Sequence, residues 1–112
     1  KMSVPVVNIR IDKGTNFEAT FTVQNSDGSV FSLNGYIATA KIKKHPGAST
    51  STSFSTTVTV STGEIKITLT AAQTAELSPG INTYDVIITD INTSAVTKVF
   101  EGMARVYDSV ST

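Results

Sequence analysis

Apolar and polar residues alternate with a period of two along most of the chain, the spacing that puts one set on a single face of an extended strand. Val7, Ile9 and Ile11 alternate with Asn8, Arg10 and Asp12, and Pro5 stands just before them, where a missing N–H suits a strand start or edge. After a turn at Lys13-Gly14-Thr15-Asn16, the residues Phe17, Ala19, Phe21 and Val23 form an inward set against Glu18, Thr20, Thr22 and Gln24. Asn25-Ser26-Asp27-Gly28 predicts a hairpin turn, because Asp-Gly accepts the positive φ of tight hairpins, and a short strand is expected from Val30 to Leu33. Tyr36, Ala38, Ala40 and Ile42 then alternate with Ile37, Thr39, Lys41 and Lys43, up to a stop at Lys44-His45-Pro46-Gly47. Ala48 to Ser53 holds only Ala, Ser and Thr, with nothing to bury, and is expected to be a mobile loop. Phe54, Thr56, Val58 and Val60 form the next alternating set, and Ser61-Thr62-Gly63 turns the chain into Ile65, Ile67 and Leu69.

The period changes once. Thr70-Ala71-Ala72-Gln73 has the form of a capping box, in which the Thr70 hydroxyl and the Gln73 side chain satisfy free N–H groups at a helix start. The spacing predicts a short helical turn over about 71–77, stopped by Ser78-Pro79-Gly80. Tyr84, Val86 and Ile88 lead a further strand, Asp90 to Ser94 reads as a polar hairpin loop, and a long last strand runs from about Ala95 to Tyr107. Gly102 in its middle predicts a bulge or a close backbone approach. The chain is thus all-β, with seven or eight short antiparallel strands and one helical turn. That pattern fits an immunoglobulin-like β-sandwich or a small barrel, built as one domain over residues 1–112. In a sandwich the helical turn would cross from one sheet to the other.

Composition strengthens the all-β reading. Thr 18, Val 12 and Ile 10 far outnumber Leu 3, and β-branched side chains fit a pleated, half-buried surface. Nine basic and nine acidic residues balance, so no chain-wide positive field points to nucleic acid. No apolar run is long enough to span a bilayer as a helix. The absence of Cys removes disulfides, thiolate metal sites and a cysteine nucleophile together. Met2 behind a lone Lys1 is expected to be the natural initiator, with Lys1 an expression remnant.

Few residues invite chemistry. His45, the one histidine, stands between Lys44 and Pro46 with no acidic neighbour in sequence, as a solvated turn residue would. Lys41, Lys43 and Lys44 raise the question of a phosphate-binding patch, yet no interleaved aromatic offers a base-stacking platform. No acidic stretch has calcium-loop spacing, and Asp27 and Asp90 are explained by turns. Tyr84 is placed to act as a tyrosine corner, its hydroxyl bonded to upstream backbone. No G-x-S-x-G, P-loop or H-E-x-x-H motif occurs, so no catalytic residue, metal ligand or cofactor is expected. Asp85 follows Tyr84 on a strand whose other face is apolar. Val99 and Met103 alternate out of phase with Phe100, Gly102 and Ala104, so one of these sets must lie outside or make a second contact. Asp85, Val99, Glu101 and Met103 are therefore the candidate interface residues.

The linear order of short motifs resembles that of small β-domains in tailed-phage virion structural proteins, including the N-terminal domain of baseplate upper proteins. The residues that carry it are Asn8-Ile9-Arg10-Ile11 with Gly14, Leu33-Asn34-Gly35-Tyr36, Lys41-Ile42-Lys43-Lys44, the run Thr70 to Gly80, Tyr84-Asp85-Val86 and Glu101-Gly102. The resemblance implies an immunoglobulin-like sandwich that assembles into the virion at the tail, baseplate or fibre attachment, without catalysis. Its expected partners are other virion proteins or further copies of itself, met after synthesis in the host cytoplasm. The alternative is a glycan- or receptor-binding module on the capsid surface, with Tyr36, Tyr84 and Tyr107 as stacking platforms.

Overall fold

A computed structural model describes residues 5–25, 27–45, 47–49 and 51–108. Expectations for Lys1, Met2, Ser26, Pro46 and Thr50 lie outside the described residues. The strands are β1 (Ile9–Asp12), β2 (Phe17–Thr22), β3 (Tyr36–Lys43), β4 (Thr52–Ser53), β5 (Ser55–Thr59), β6 (Glu64–Leu69), β7 (Gly80–Asp90) and β8 (Val96–Tyr107), and one helix, α1 (Ala71–Ala75), lies between β6 and β7. They form a five-stranded sheet of order β1-β8-β7-β3-β4 and a three-stranded sheet of order β2-β6-β5.

The inward phases read from the sequence are in the main the buried ones, the exception being Val60, which is 45% exposed just beyond β5. Ala40, Ile42, Tyr84, Val86, Ile88, Phe100, Ala104 and Val106 come from the first sheet, and Phe21, Ile65, Ile67 and Leu69 from the second. Aromatic rings join the two layers: Phe21 of β2 lies with its centroid 4.8 Å from Phe100 of β8 and 6.3 Å from Tyr84 of β7. Phe54 is the residue at which the chain passes from β4 in the first sheet to β5 in the second. Its N–H still bonds to Ala40 of β3 at 2.9 Å, while the next residues pair with β6. Its ring packs on Phe17 and Tyr84, so the crossing is buried.

The helical turn makes the crossing from β6 back to β7. Both halves of the capping box form, Thr70 Oγ1 accepting from Gln73 N and Gln73 Oε1 accepting from Thr70 N. α1 is then stapled to the β1–β2 turn: the buried Thr74 hydroxyl accepts from Gly14 N at 3.0 Å and lies 2.7 Å from Thr15 O, and Asn16 Oδ1 accepts from Ala71 N at 2.8 Å. A polar residue is fully buried here because its hydroxyl is fully used.

Four features depart from the sequence reading. The strands are not all antiparallel, since β1 runs parallel to β8, with Ile9 level with Ala104. Side-chain alternation carries no strand direction, and parallel neighbours need a long crossover, which the whole of the intervening chain supplies. The stretch from Val30 to Leu33 is no strand but a covering loop, paired only at Val30 with Gln24, although the Asp27-Gly28 hairpin forms as expected. Leu33 is buried there without a ladder. The Ser/Thr run ends in β4, which pairs with Lys41 and Ile42. The bulge of the last strand falls at Val99, opposite the Val86/Ile87 step, and not at Gly102.

Gly102 instead serves the other expected role. A β-carbon there would collide with the Val7 carbonyl. The backbone of Val7 turns inward at this point, and its carbonyl accepts from the Tyr84 hydroxyl. Asn8 then fills the gap in the parallel ladder, its Oδ1 accepting from Met103 N at 3.0 Å. Tyr84 is thus bonded upstream as expected, yet to the N-terminal segment rather than beside the helical turn.

Candidate functional site

The outward phase of the five-stranded sheet collects the candidate residues. On β7 this phase is Ile81, Thr83, Asp85, Ile87 and Thr89, because the alternate residues are buried. Register then fixes their neighbours on both sides. Asp85 stands between Lys41 of β3 and Glu101 of β8, Thr83 between Lys43 and Met103, Ile87 between Thr39 and Lys98, and Thr89 between Ile37 and Val96. Val6 flanks Glu101 through a parallel bridge.

Three of the four candidate interface residues therefore share this face. Asp85, Glu101 and Met103 lie on it, and Met103 is 47% exposed. Val99 does not belong with them. As the extra residue of the bulge it is half-buried and packs against the core. The bulge has a second effect, which is to bring Lys98 onto the outer face. No signal in the local sequence marks Lys98, because simple alternation from Met103 would turn it inward.

Asp85 and Glu101 are like charges opposite one another, an arrangement that destabilises a sheet unless it is neutralised. Lys98 supplies the neutralisation: its Nζ lies 3.7 Å from Asp85 Oδ2 and 3.3 Å from Glu101 Oε1. Lys41 and Lys43 make no ion pair among the described residues. Long side chains on β3 and β8 stand over the short Thr83 and Asp85 between them, and the result is an open groove of about 610 Å³. Toward β1, Arg10 pairs with Asp12 at 3.2 Å and stacks its guanidinium 4.1 Å above the Tyr107 ring.

The remaining sequence candidates are elsewhere. His45 is exposed just beyond β3. The Asp27 carboxyl is held below its usual range by the Ser29 hydroxyl and then by the Ser29 N–H, as a turn residue should be. Asp90 caps the β7–β8 loop, accepting from Asn92 and Thr93. Burial pushes the Tyr84 phenol up to about 12, so it remains a neutral donor at any physiological pH. The three tyrosines form no common platform. Tyr84 is in the core, Tyr36 packs on Phe31, and Tyr107 lies under Arg10. No three His, Cys, Asp or Glu side chains among the described residues cluster as metal ligands would. No helix among them is long and apolar enough to cross a membrane.

No family model and no curated protein matches the chain. Among solved structures it is similar to a family 123 glycoside hydrolase from Clostridium perfringens, at 13% identity and a TM-score of 0.44. The match covers 100% of this chain and 24% of that one, so the chain spans about a quarter of the hydrolase. A likeness at that level carries no argument about activity.

Proposed function

We propose that the chain is a non-enzymatic assembly module of a tailed-phage virion, acting at the tail, baseplate or fibre attachment through the outer face of its five-stranded sheet. The observation that carries the assembly reading is the register on that face, where large exposed apolar side chains flank an ordered row of charge. Four acidic side chains have structural partners: Asp27 and Asp90 hold turns, and Asp85 and Glu101 share one lysine. The virion assignment draws on the motif resemblance over nearly the whole chain.

The strand order supports the immunoglobulin-like part of the reading. The order β2-β6-β5 against β8-β7-β3 corresponds to strands B-E-D against G-F-C, with β4 added beside β3 as in variable-type domains. The helical turn lies between β6 and β7, where that fold's E–F connection passes from one sheet to the other. A glycan-binding role has less support, because sugars favour exposed aromatic faces and the groove offers none. Mass spectrometry of purified particles tests the proposal. The chain should be present in fixed ratio to tail or baseplate proteins, and its absence from intact particles would sink the assignment.

A further inference from the structure

We propose that the outer face of the five-stranded sheet binds the same face of a second copy of this chain, about a two-fold axis that runs along β7. The inference rests on reading this face as an assembly surface, and it names the occupant. Two identical faces pack on each other about an axis lying between them, and the two settings that keep the strands of both copies aligned are an axis along the strands and one across them. Charge decides it. β7 is the middle strand of β1-β8-β7-β3-β4, so a rotation about its own direction lays β8 of each copy over β3 of the other.

Glu101 and Lys41 are level with one another, either side of Asp85, and this rotation therefore sets Glu101 of each copy over Lys41 of the other. Val96 and Ile37, 61% and 52% exposed and both level with Thr89, meet in the same way at one end. Ile81, 53% exposed, and Ile87 meet their own counterparts on the axis, and so does Asp85, a like pair that either axis creates and that Lys98 beside each Asp85 neutralises. The alternative axis, across the strands at Asp85, would place Lys41 over Lys41 and Glu101 over Glu101. Such like-charge juxtapositions suppress an encounter rather than support it.

The area is small. Three strands about 4.8 Å apart, over the length from Ile81 to Thr89 at about 3.3 Å per residue, with the short β1 and β4 at the sides, give roughly 500 Å² per copy. A pair would bury about 1,000 Å², at the lower limit for a specific interface and in the range of weak, reversible ones. Thr83 and Asp85 line the floor of the groove between Ile81 and Ile87, so two facing grooves enclose a wet centre in which Lys98 of each copy stays beside its Asp85. The contact is thus a reversible dimer whose charge pairs select the partner and the axis.

Light scattering across a concentration series, from about 10 µM to about 1 mM to span weak association, should show the mass rise from one chain to two. The variants Lys41→Glu and Glu101→Lys should each weaken association by tenfold or more, with unchanged thermal melts. A one-to-one mixture of the two variants should recover the dimer, because each glutamate then faces a lysine; the loss in each variant alone is what places β8 over β3, since an axis across the strands would keep its pairs alike in wild type and in either variant. A wild-type mass of one chain throughout overturns the proposal, as does a mixture of folded variants that stays monomeric. Neither result bears on whether the chain is found in particles, so the failure of self-association and the failure of the assembly reading are told apart.

Discussion

The two outer faces of the molecule follow the same alternation and carry different cargoes. On the three-stranded sheet the outward rows are Glu18-Thr68-Ser55, Thr20-Lys66-Thr57 and Thr22-Glu64-Thr59, with one ion pair, Lys66 to Glu18 at 3.5 Å. Short hydroxyl side chains and isolated charges make a face content with water. On the five-stranded sheet the outward rows hold Ile37, Ile81, Val96 and Met103, all more than two-fifths exposed, around the Lys41-Asp85-Glu101 row. Solvent alone gives no reason for that pattern, and a contacting surface does. The difference shows where to look for function on a fold whose interior is evenly apolar: in the composition of the outward phase, strand by strand.

Substitutions can break the frame under both faces or sharpen the contrast between them. The largest effect is expected from Phe21→Ala, since that ring joins the two sheets through Phe100 and Tyr84. Urea unfolding should show a loss of about 3–5 kcal/mol, and association at the five-stranded face should fall with the fold. Gly102→Ala acts on one sheet. Its new β-carbon must displace the Val7 carbonyl, and a loss of about 2–3 kcal/mol is expected, with amide exchange accelerating first in β1 and not in β2 or β6.

Tyr84→Phe is gentler, leaving the ring and removing only the donor to Val7 O. A buried carbonyl without its partner costs about 1–2 kcal/mol, read again by unfolding and by exchange at Val7 and Met103. The same hydroxyl sets a pH dependence. Its pKa is raised in the folded state, to about 12 from an unfolded value near 10. The folded state therefore favours the neutral phenol, and the contribution is whole below about pH 10 and lost as the pH rises toward 12. Wild type should lose stability across that window, and Tyr84→Phe should lose less. The smallest effect belongs to the three-stranded face. Lys66→Glu breaks an exposed ion pair and should change stability by less than about 0.5 kcal/mol, with no change in solution mass.

Much of the frame was legible because it is written in local pattern. Phe17 to Val23, Tyr36 to Ile42 and Ile65 to Leu69 announce their inward faces by alternation alone, and Thr70 with Gln73 announces the helical turn by capping chemistry. What was not legible depends on distant partners. Val30 to Leu33 has strand-like residues, yet the pairing stops after the contacts of Val30 and Phe31 with Gln24 and Val23, and the chain turns away to bury Leu33. The parallel direction of β1 is set by β8, near the other end of the chain, and the Tyr84 hydroxyl bonds across a separation of 77 residues. The site was half legible for the same reason. Asp85, Glu101 and Met103 follow from phase, whereas Lys98 reaches them only because a bulge at Val99 resets the phase, and a bulge is a property of the pair of strands.

The contrast between the two faces is tested most directly by amide NMR over a dilution series of the wild-type protein. Signals of Thr83, Asp85, Glu101 and Met103 should move together with concentration, while those of Glu18, Thr20 and Lys66 stay fixed. Shifts confined to the three-stranded face, or none on the five-stranded face at any concentration, would contradict the account.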